Sequence, residues 1–577
     1  MTSSADPGNL VDNVCEKSEV FEEDKHPQVY YQGYNQVFEP AFFIGHLSHF
    51  HRSVVRNQGC TDQYQDKFNT PDEVEKIEAV APGFINFYLA KKYFVRTVES
   101  ILENPTDFGE TKNLSGQKVV IEYTDPNPFK QFHIGHLMSN TVGEALSRII
   151  ESNGAKLKRA CYQGDVGRHV ALTIYGIRLM ENPFPEESAS LDEKVSYLGK
   201  AYALGATTVR DNPDLEKDIQ VINRKVYERS DEEVNGLYDQ GREWSLSHFE
   251  ELYKKLGTHF DQYFFESVAA PVGTEIVREN LKKGIFEESE GAIIFPGEKH
   301  DLHTRVFITK ENLPTYEAKD LGLAKIKYDT FPFDSSIVIT ANEQSGYFKV
   351  LLKAVSLIFP EIGKTMKHVS HGMLRMATVG GGSMKMSSRT GDVITAESLI
   401  TEAEDRVAEK MKDRDLPSDQ KKDIIEKVAV AGLKYSILKQ SPGKDIIFEL
   451  DKALSFEGDS GPYLQYSYVR ARSVLEKAGE KKESIFSREI TSGEIYSLEQ
   501  LLPRLPEIVG RAASEYAPQL ITSYLIELAA SFNKFYASNK ILDAGEETAY
   551  RLALTEAFSV VMKNGLNILG IDSPEKM

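Results

Sequence analysis

The 577-residue chain contains little cysteine and no long hydrophobic run. Its three cysteines (Cys15, Cys60 and Cys161) are widely spaced and odd in number, which excludes a disulfide framework and a CxxC metal site. The longest apolar stretches fall well short of the roughly 20 residues that span a bilayer. The first residues lack the basic and apolar regions of a secretory signal. We therefore expect a cytoplasmic protein without a protein-bound structural metal.

Positive charge is also scarce, since 68 basic residues stand against 87 acidic ones and the net charge is −19. This balance excludes a general electrostatic attraction to nucleic acid, so any RNA binding must come from local patches. The 41% of apolar and 27% of charged residues are typical of a globular protein rather than a disordered one. The length predicts two to four domains.

The order of strand and helix patterns predicts an α/β fold. KVVIEYT from Lys118 is a buried-strand run, DPNP is a turn, a helical pattern ends at Gly154, and LKRACYQG is a second strand. This unit is typical of a doubly wound, Rossmann-type parallel sheet. Strand patterns return at GAIIFPG, TRVFIT and SSIVIT, which we expect to form the second half of that sheet.

Three segments complete the predicted organisation. A charge-rich stretch at about 185–260 has apolar residues at helical spacing, which predicts a helical insertion. After Gly391 the chain is almost wholly helical, which indicates a separate bundle. We predict a small α+β N-terminal domain at 1–112, a catalytic domain at 113–395 and a helical domain at 396–577, with no chemistry assignable to the first 70 residues.

His133-Ile134-Gly135-His136 lies where the first strand gives way to a helix. A helix start offers free N–H donors and a positive dipole end, and both favour a phosphate. The two imidazoles can donate hydrogen bonds to charge that builds on an α-phosphate during reaction. A structurally satisfied histidine pair is the alternative. Phe43 to Leu47 imitates this motif without its first histidine, and we interpret it as coincidence.

A second motif, Lys385-Met386-Ser387-Ser388-Arg389, follows three glycines. Glycines beside a lysine and hydroxyls suit a loop that closes over a triphosphate, although a solvated basic turn would read the same way. Together, HIGH after the first strand and KMSSR about 250 residues later resemble the class I aminoacyl-tRNA synthetases, and further segments resemble the arginyl-tRNA synthetases. Ser388 departs from the usual KMSKS loop, and the resemblance implies that Lys130 supplies the missing charge.

An arginine pocket needs carboxylates that meet a planar guanidinium in fork geometry. The resemblance to arginyl-tRNA synthetases assigns Glu122 and Asn127 to the α-amino end of the amino acid. It assigns the guanidinium to Glu266, Tyr316 and Asp320. Each of these side chains alone has an ordinary structural interpretation as a core ion pair or a helix cap.

The resemblance also implies contacts to ATP and to tRNA. ATP is expected to contact His133, His136, Gly164, Asp165, Glu343, Gln344, His371, Gly372, Met373 and Lys385. Catalysis is expected to use Lys130, His133, Gly135, His136, Lys385 and Ser387. The C-terminal bundle resembles an anticodon-binding domain in which Tyr463, Arg470, Tyr536 and Met577 contact tRNA, although its aromatic residues at helical spacing also suit a packed core.

The implied function is ATP-dependent activation of L-arginine and its transfer to the 3′-terminal adenosine of tRNA(Arg). The implied partners are tRNA(Arg), arginine and ATP with Mg²⁺, and the implied state is a monomer. Two alternatives stay open at this point. A synthetase for another amino acid such as cysteine predicts a thiolate zinc site, which the dispersed cysteines do not provide. A non-catalytic RNA-binding protein would not need Lys130 or the histidine pair.

Overall fold

The computed structural model describes residues 52–54, 73–80, 84–377, 383–385, 395–479 and 493–577. Its strands are β1 Arg52–Val54, β2 Val74–Val80, β3 Phe84–Leu89, β4 Lys118–Glu122, β5 Lys156–Gln163, β6 Gln262–Phe265, β7 Glu287–Ser289, β8 Ala292–Phe295, β9 Arg305–Ile308, β10 Ser335–Ala341, β11 Met366–His371, β12 Leu374–Ala377, β13 Ser383–Lys385 and β14 Ile446–Phe448. The HIGH-like stretch at 43–47 lies outside the described residues.

The helices surround these strands and dominate the C-terminal part. They are α1 Lys91–Glu103, α2 Ile134–Glu151, α3 Arg168–Leu179, α4 Leu191–Asp211, α5 Glu216–Glu228, α6 Glu232–Lys255, α7 Glu266–Leu281, α8 Tyr316–Thr330, α9 Ser345–Ile358, α10 Pro360–Gly363, α11 Ala396–Lys410, α12 Ser418–Leu438, α13 Leu450–Ala453, α14 Gly461–Ala478, α15 Ser497–Leu501, α16 Leu505–Glu515, α17 Gln519–Ser538 and α18 Thr548–Ile568. Within the described ranges, no helix has the length and apolarity to cross a membrane.

A five-stranded parallel sheet organises the larger part of the molecule. Its strand order is β11-β10-β4-β5-β6, and every neighbouring pair runs parallel. The residues Val119 to Ile121 of β4 are buried on both faces, as a central strand requires. The chain moves outward from β4 to β5 and β6, and later returns to β10 on the other side of β4. This reversal confirms the doubly wound fold and places a ligand crevice beside the carboxyl end of β4.

Two of the strand patterns were assigned to the wrong sheet. The patterns GAIIFPG and TRVFIT form β8 and β9, which pair antiparallel with each other, and β7 completes this separate three-stranded sheet. The connection from β8 to β9 contains only a short 3-10 helix at Gly297–His300. A parallel pair needs a crossover of a dozen residues or more. Only SSIVIT, as β10, enters the parallel sheet.

The helices α7 and α8 cross at very short range. A Cβ at Gly273 would lie 1.8 Å from the carbonyl oxygen of Ala318, and a Cβ at Gly322 would lie 2.3 Å from that of Ala269. Since real Cβ atoms do not approach backbone this closely, glycine at both positions lets the two backbones touch. The crossing matters for function because α7 begins with Glu266 and α8 carries Asp320.

The helices α4 to α6 lie within the range predicted for an insertion. Ser190 caps α4 through a capping box with Glu193, and Asp231 accepts a hydrogen bond from the N–H of Val234 at the start of α6. These local signals explain where both helices begin. Their buried faces join a core that includes Ile219, Val234 and Trp244.

The chain divides into two compact units. One contains residues 1–109, 467–508 and 524–565, and the other contains 110–466, 509–523 and 566–577. In the first, Lys91 forms a buried ion pair of 2.7 Å with Glu499. In the second, the buried Lys434 donates to the carbonyl oxygen of Gly570 at 2.6 Å and ties the C-terminal segment to the helices beside the parallel sheet.

Candidate active site

The two histidines of HIGH stack at the start of α2. Their ring centroids are 3.7 Å apart and the ring planes differ by 14°. The Nδ1 of His133 accepts a hydrogen bond from the N–H of Gly135 at 3.0 Å, and the Nδ1 of His136 accepts from the N–H of His133 at 3.2 Å. A Cβ at Gly135 would lie 2.8 Å from the His133 ring, so glycine allows this stacked arrangement.

Burial keeps both histidines neutral, and these hydrogen bonds determine which ring nitrogen carries the proton. Burial and the nearby Lys130 ammonium lower the pKa of His133. Burial, His133 and Lys130 lower the pKa of His136 well below its usual value. Both rings are therefore neutral near pH 7, and because each Nδ1 is an acceptor, each Nε2 carries the proton. The pair presents two neutral N–H donors at a helix start, which suits a phosphate.

The loop from Thr124 to Phe129, between β4 and α2, has an unusual backbone. Thr124, Asp125 and Phe129 adopt positive φ angles of 77°, 48° and 68°. The N–H of Thr124 donates to Ser139 Oγ at 3.0 Å, and that of Phe129 donates to Ser245 Oγ at 3.0 Å. Left-handed residues other than glycine are strained and concentrate at functional sites.

The loop brings Lys130 close to the histidines. Its Nζ lies 5.8 Å from the centre of the Tyr202 ring. Burial lowers the pKa of Lys130, while the charge of Glu266 opposes that shift. The position of this ammonium, three residues before His133, is compatible with the phosphate role that the sequence implied.

Two of the predicted arginine ligands carry lysine partners. Lys327 Nζ donates to Glu122 Oε2 at 2.6 Å, and Lys319 Nζ donates to Glu266 Oε2 at 2.6 Å. All four side chains are almost completely buried. Each lysine offsets the cost of burying its carboxylate and fixes the carboxylate's position. The remaining oxygen of Glu266, Oε1, faces Gly164.

Asp320 is a half-buried carboxylate of this cluster that forms no ion pair within the part of the chain that the structure describes. It accepts a hydrogen bond of 2.5 Å from the hydroxyl of Tyr347. Burial, together with the negative charges of Glu122 and Glu266, raises the pKa of Asp320 to about 8, although the Tyr347 hydrogen bond acts against the shift. A carboxyl group in this state gains strongly from an incoming cation.

Asp125 and Tyr162 extend the cluster. Burial and the charge of Glu122 raise the pKa of Asp125 well above its usual value, and its Oδ1 accepts from the N–H of Tyr162 at 2.8 Å. The Tyr162 hydroxyl is buried and has no hydrogen-bond partner. Burial and the charges of Asp320 and Glu266 raise the pKa of Tyr162, so its proton stays in place. An unpartnered buried hydroxyl beside carboxylates marks a place for a polar ligand.

Asn127, Gly164 and Glu266 meet at one point of this crevice. A Cβ at Gly164 would lie 2.2 Å from Asn127 Oδ1 and 3.1 Å from Glu266 Oε1. The next residue, Asp165, is fully buried and accepts hydrogen bonds from Tyr238, Arg242 and Ser267. Its carboxylate is thus saturated by protein groups, and its geometry suits holding the Gly164 loop.

The other predicted ATP-binding residues, apart from the two motifs and the Gly164 loop after β5, lie at the carboxyl ends of β10 and β11. Glu343 and Gln344 belong to an exposed 3-10 helix directly after β10. His371 ends β11, and its Nδ1 donates to the carbonyl oxygen of Gly372 at 2.7 Å. Burial lowers the pKa of His371. The N–H of Met373 donates to Asp445 Oδ1 at 3.0 Å.

Of the second motif, only its first residue, Lys385, falls within the described residues. Lys385 ends β13 and pairs with Arg375 of β12, whereas Ser387 lies outside the described ranges. After the motif, Thr395 forms an antiparallel bridge with His133, and the N–H of Ala396 donates to the carbonyl oxygen of Phe132 at 2.9 Å. The chain that leaves the second motif therefore contacts the first motif directly.

The predicted tRNA ligands fall in both units. In the unit that contains residues 467–508 and 524–565, the guanidinium of Arg470 lies 5.3 Å from the centre of the Tyr536 ring. Arg470 also donates to Asn533, and Tyr536 is 42% exposed. Tyr463 and Met577 belong to the other unit, where both are half-buried.

The sequence interpretation missed several site residues. Lys319 and Lys327 lie on the buried face of α8 with Leu323 between them, so helical spacing was an available signal. Tyr162 is the penultimate residue of β5, and Tyr347 is in the first turn of α9, which follows β10. Both lie near the carboxyl ends of parallel strands, which was a weaker signal. Tyr316, by contrast, is 62% exposed at the start of α8.

Comparison with known proteins agrees with this geometry. Residues 97–450 match the family described as "tRNA synthetases class I (R), catalytic domain", and residues 464–577 match the "DALR anticodon binding domain". An arginine–tRNA ligase from Clostridium acetobutylicum is 33% identical over 506 residues, which are 87% of this chain and 88% of that protein. One from Clostridium perfringens is 31% identical over 509 residues, with the same two shares.

Solved structures show the same fold. The arginyl-tRNA synthetase of Thermus thermophilus superposes with a TM-score of 0.74 at 22% sequence identity, over 99% of both chains. That of Plasmodium falciparum gives a TM-score of 0.73 at 19% identity, over 99% of this chain and 97% of its own.

Proposed function

Because this chain belongs to the arginyl (R) family of class I tRNA synthetases, we propose that the crevice at the carboxyl edge of its parallel sheet is where arginine is activated and transferred. The chain is an arginine–tRNA ligase, which joins arginine to tRNA(Arg) at the expense of ATP. Arginine, ATP and tRNA are therefore its partners. The roles of individual residues below are proposals.

The single observation that carries the arginine assignment is the half-buried carboxyl of Asp320, which has a raised pKa and no ion-pair partner within the described residues. The guanidinium binds Asp320, and Tyr347 holds that carboxylate in place. Glu266 contributes its Oε1 next to Asn127, while Lys319 keeps its other oxygen occupied. A planar fork satisfies two acceptors at once, so lysine, with its single ammonium, fits less well.

The opposite end of the substrate lies toward the histidines. Asn127 and Glu122 surround the α-amino group, with Lys327 holding Glu122. This leaves the carboxylate of arginine directed toward the α-phosphate of ATP, which enters as its magnesium complex. Tyr316, which is exposed at the start of α8, contacts the substrate from the solvent side.

The chain acts on ATP by orientation and charge. One carboxylate oxygen of arginine attacks the α-phosphorus, the bond to the pyrophosphate breaks, and arginyl adenylate forms. His133 and His136 donate from Nε2 to the α-phosphate oxygens as negative charge builds there, and Lys130 and Lys385 neutralise the leaving pyrophosphate. Ser387 is a further proposed contact to the phosphates. Gly164, Glu343, Gln344, His371, Gly372 and Met373 surround the adenosine, and Asp165 holds the Gly164 loop.

The second step needs no protein nucleophile. A hydroxyl of the terminal adenosine of the tRNA attacks the adenylate carbonyl, and AMP leaves with the electron pair of the broken bond. Tyr463, Arg470, Tyr536 and Met577 bind the anticodon side of the tRNA by stacking and charge. We further propose that the protein acts as a monomer in the cytoplasm, with domains at 1–112, 113–395 and 396–577.

The test is aminoacylation by the purified full-length chain with ATP, Mg²⁺, total tRNA and each of the twenty amino acids in turn. Charging with arginine alone supports the proposal. Charging with a different amino acid would show that the substrate has been assigned wrongly. Binding of tRNA without any charging would favour the non-catalytic alternative.

A further inference from the structure

A second cluster of ligating side chains shares no residue with the arginine crevice and lies where the insertion meets α11. It contains Asp192 in the first turn of α4, with His248 and Glu251 on α6. One ligand atom from each of the three lies within 4.8 Å of the others. Across the ranges that the structure describes, no other group of histidine, cysteine or acidic side chains meets that condition.

His248 shows an unsatisfied ring nitrogen directed into this cluster. The residue is only 8% exposed, and its Nδ1 is buried without a hydrogen-bond partner. That nitrogen lies 3.9 Å from Asp192 Oδ1, which is too long for a hydrogen bond. A buried polar atom without a partner calls for an explanation, and a bound ion is one that fits a ring nitrogen beside two carboxylates.

The hydrogen bond at the second ring nitrogen explains why Nδ1 is the one left for a ligand. His248 Nε2 lies 2.7 Å from Glu397 Oε1, at the start of α11. A carboxylate can only accept, so Nε2 donates to Glu397, which leaves Nδ1 as the nitrogen that a metal ion can bind. Histidines that bind metal have this arrangement, with a carboxylate holding the second nitrogen and setting the tautomer.

We propose that Asp192, His248 and Glu251 bind a divalent first-row transition metal ion, for which zinc is the best fit, and that Glu397 positions the histidine. One imidazole and two carboxylates are ligands that zinc accepts at about 2.0 to 2.2 Å, with water completing four-fold coordination. Asp192 and Glu251 are exposed and can rotate inward. Mg²⁺ prefers oxygen ligands and does not suit an imidazole.

The position of the cluster suggests what the ion does. It would connect α4 to α6 and, through His248 and Glu397, to the first turn of α11. The N-cap of α11 is Thr395, which bridges to His133. The ion would therefore stabilise the insertion against the segment that follows the second nucleotide motif. This site is separate from the arginine pocket and does not depend on the assignments made there.

The experiment measures Zn²⁺ binding to the full-length protein after removal of metal with a chelator, by equilibrium dialysis and by thermal unfolding with and without added zinc. We expect one high-affinity ion per chain and a higher unfolding temperature with zinc. His248→Gln should abolish both effects. Asp192→Asn and Glu251→Gln should weaken binding at least tenfold, and Glu397→Gln by about 10- to 100-fold, as other positioning carboxylates do.

Matched variants make the test specific. Glu243→Gln removes another exposed carboxylate from α6 and should leave zinc binding unchanged. Asp192 is exposed, so Asp192→Asn should fold even if the buried His248→Gln does not. Competition by millimolar Mg²⁺ should not displace the zinc. Absence of zinc binding in the wild-type protein would overturn the proposal, as would retention of full affinity in Asp192→Asn and Glu251→Gln.

Discussion

The histidine pair of HIGH combines two properties that seldom occur together at the surface of a protein. Each ring accepts a backbone N–H at Nδ1, and burial keeps each ring neutral. The donor at Nε2 is thereby fixed in direction and needs no reorganisation when charge develops on a phosphate. Preorganised donors of this kind are worth about 10²- to 10³-fold in rate when one is removed.

His136→Ala should therefore reduce arginyl-adenylate formation about a hundredfold, since it removes one donor to the α-phosphate. The measurement is ATP–pyrophosphate exchange with tRNA present. His259→Ala is a matched control, because His259 is exposed and lies outside the described hydrogen bonds of the site. If the exchange rate of His136→Ala equals that of the control variant, the motif has no part in the chemistry.

With Asp320 as the proposed ligand of the guanidinium, we expect arginine binding to depend on pH. With a pKa of about 8 in the free protein, it is protonated at lower pH, while the guanidinium binds its ionised form. Each arginine that binds therefore releases a proton. The Kd for arginine should fall about tenfold per pH unit between about pH 6 and 8 and level off above, as linkage requires.

Asp320→Asn should weaken arginine binding and remove this slope while ATP binding changes little. Isothermal titration of arginine at several pH values measures the Kd for arginine and its pH slope, and a titration with ATP measures the Kd for ATP. Asp329→Asn, which alters an exposed acid on the same helix, should retain the slope. A loss of ATP affinity in Asp320→Asn would mean that the arginine pocket has been placed wrongly.

At the scale of elements, the site depends on two helices that touch through glycine. The crossing of α7 and α8 sets the distance between Glu266, at the start of one helix, and Lys319 and Asp320 on the other. The ion pair of 2.6 Å between Lys319 and Glu266 tolerates little displacement of the helices.

Gly322→Ala should separate these helices, because the new methyl group would lie 2.3 Å from the carbonyl oxygen of Ala269. Overpacking of this kind costs about 1 to 3 kcal/mol of stability. We expect a lower denaturant midpoint together with a higher KM for arginine. Gly236→Ala is the control, since nothing would lie within 4 Å of a Cβ added at this position. Helix propensity there favours alanine by up to about 1 kcal/mol. Equal stability of the two variants would contradict the role of the crossing.

The elements also show how far sequence reasoning reaches. The strand β4, helix α2 and strand β5 were predicted because a buried apolar run, a turn and a helical period that ends at a glycine are local signals. The sheet to which β8 and β9 belong was not predicted correctly, because strand pairing depends on contacts that the local pattern does not show. Lys319 and Lys327 were missed because lysine is normally exposed, and only the distant Glu266 and Glu122 make their burial favourable.

At the scale of the whole molecule, recognition of a long substrate needs contacts outside the crevice. Arg470 and Tyr536 were predicted separately as tRNA ligands, and they lie against each other in one unit. A guanidinium beside a partly exposed aromatic ring can bind both a phosphate and a base of a single-stranded loop.

Tyr536→Ala should raise the KM for tRNA about tenfold, since stacking of a base on an aromatic side chain contributes about 1 to 3 kcal/mol. The KM values for arginine and ATP should stay constant. Steady-state aminoacylation with varied tRNA gives these values. Val221→Ala, which shortens another exposed apolar side chain, should leave all three unchanged. A variant Tyr536→Ala with normal tRNA kinetics would remove this residue from the interface.

The central position of β4 has a consequence for how the protein is made. One edge of this strand pairs with β5, which follows soon after, but the other edge must wait for β10, about 210 residues later in the chain. At synthesis rates of about 5 to 20 residues per second, that edge stays unpaired for about 10 to 40 s. An unpaired strand edge invites association with other chains. The nascent polypeptide is therefore most vulnerable to aggregation while the ribosome is still translating the insertion, before the nucleotide site has its second half.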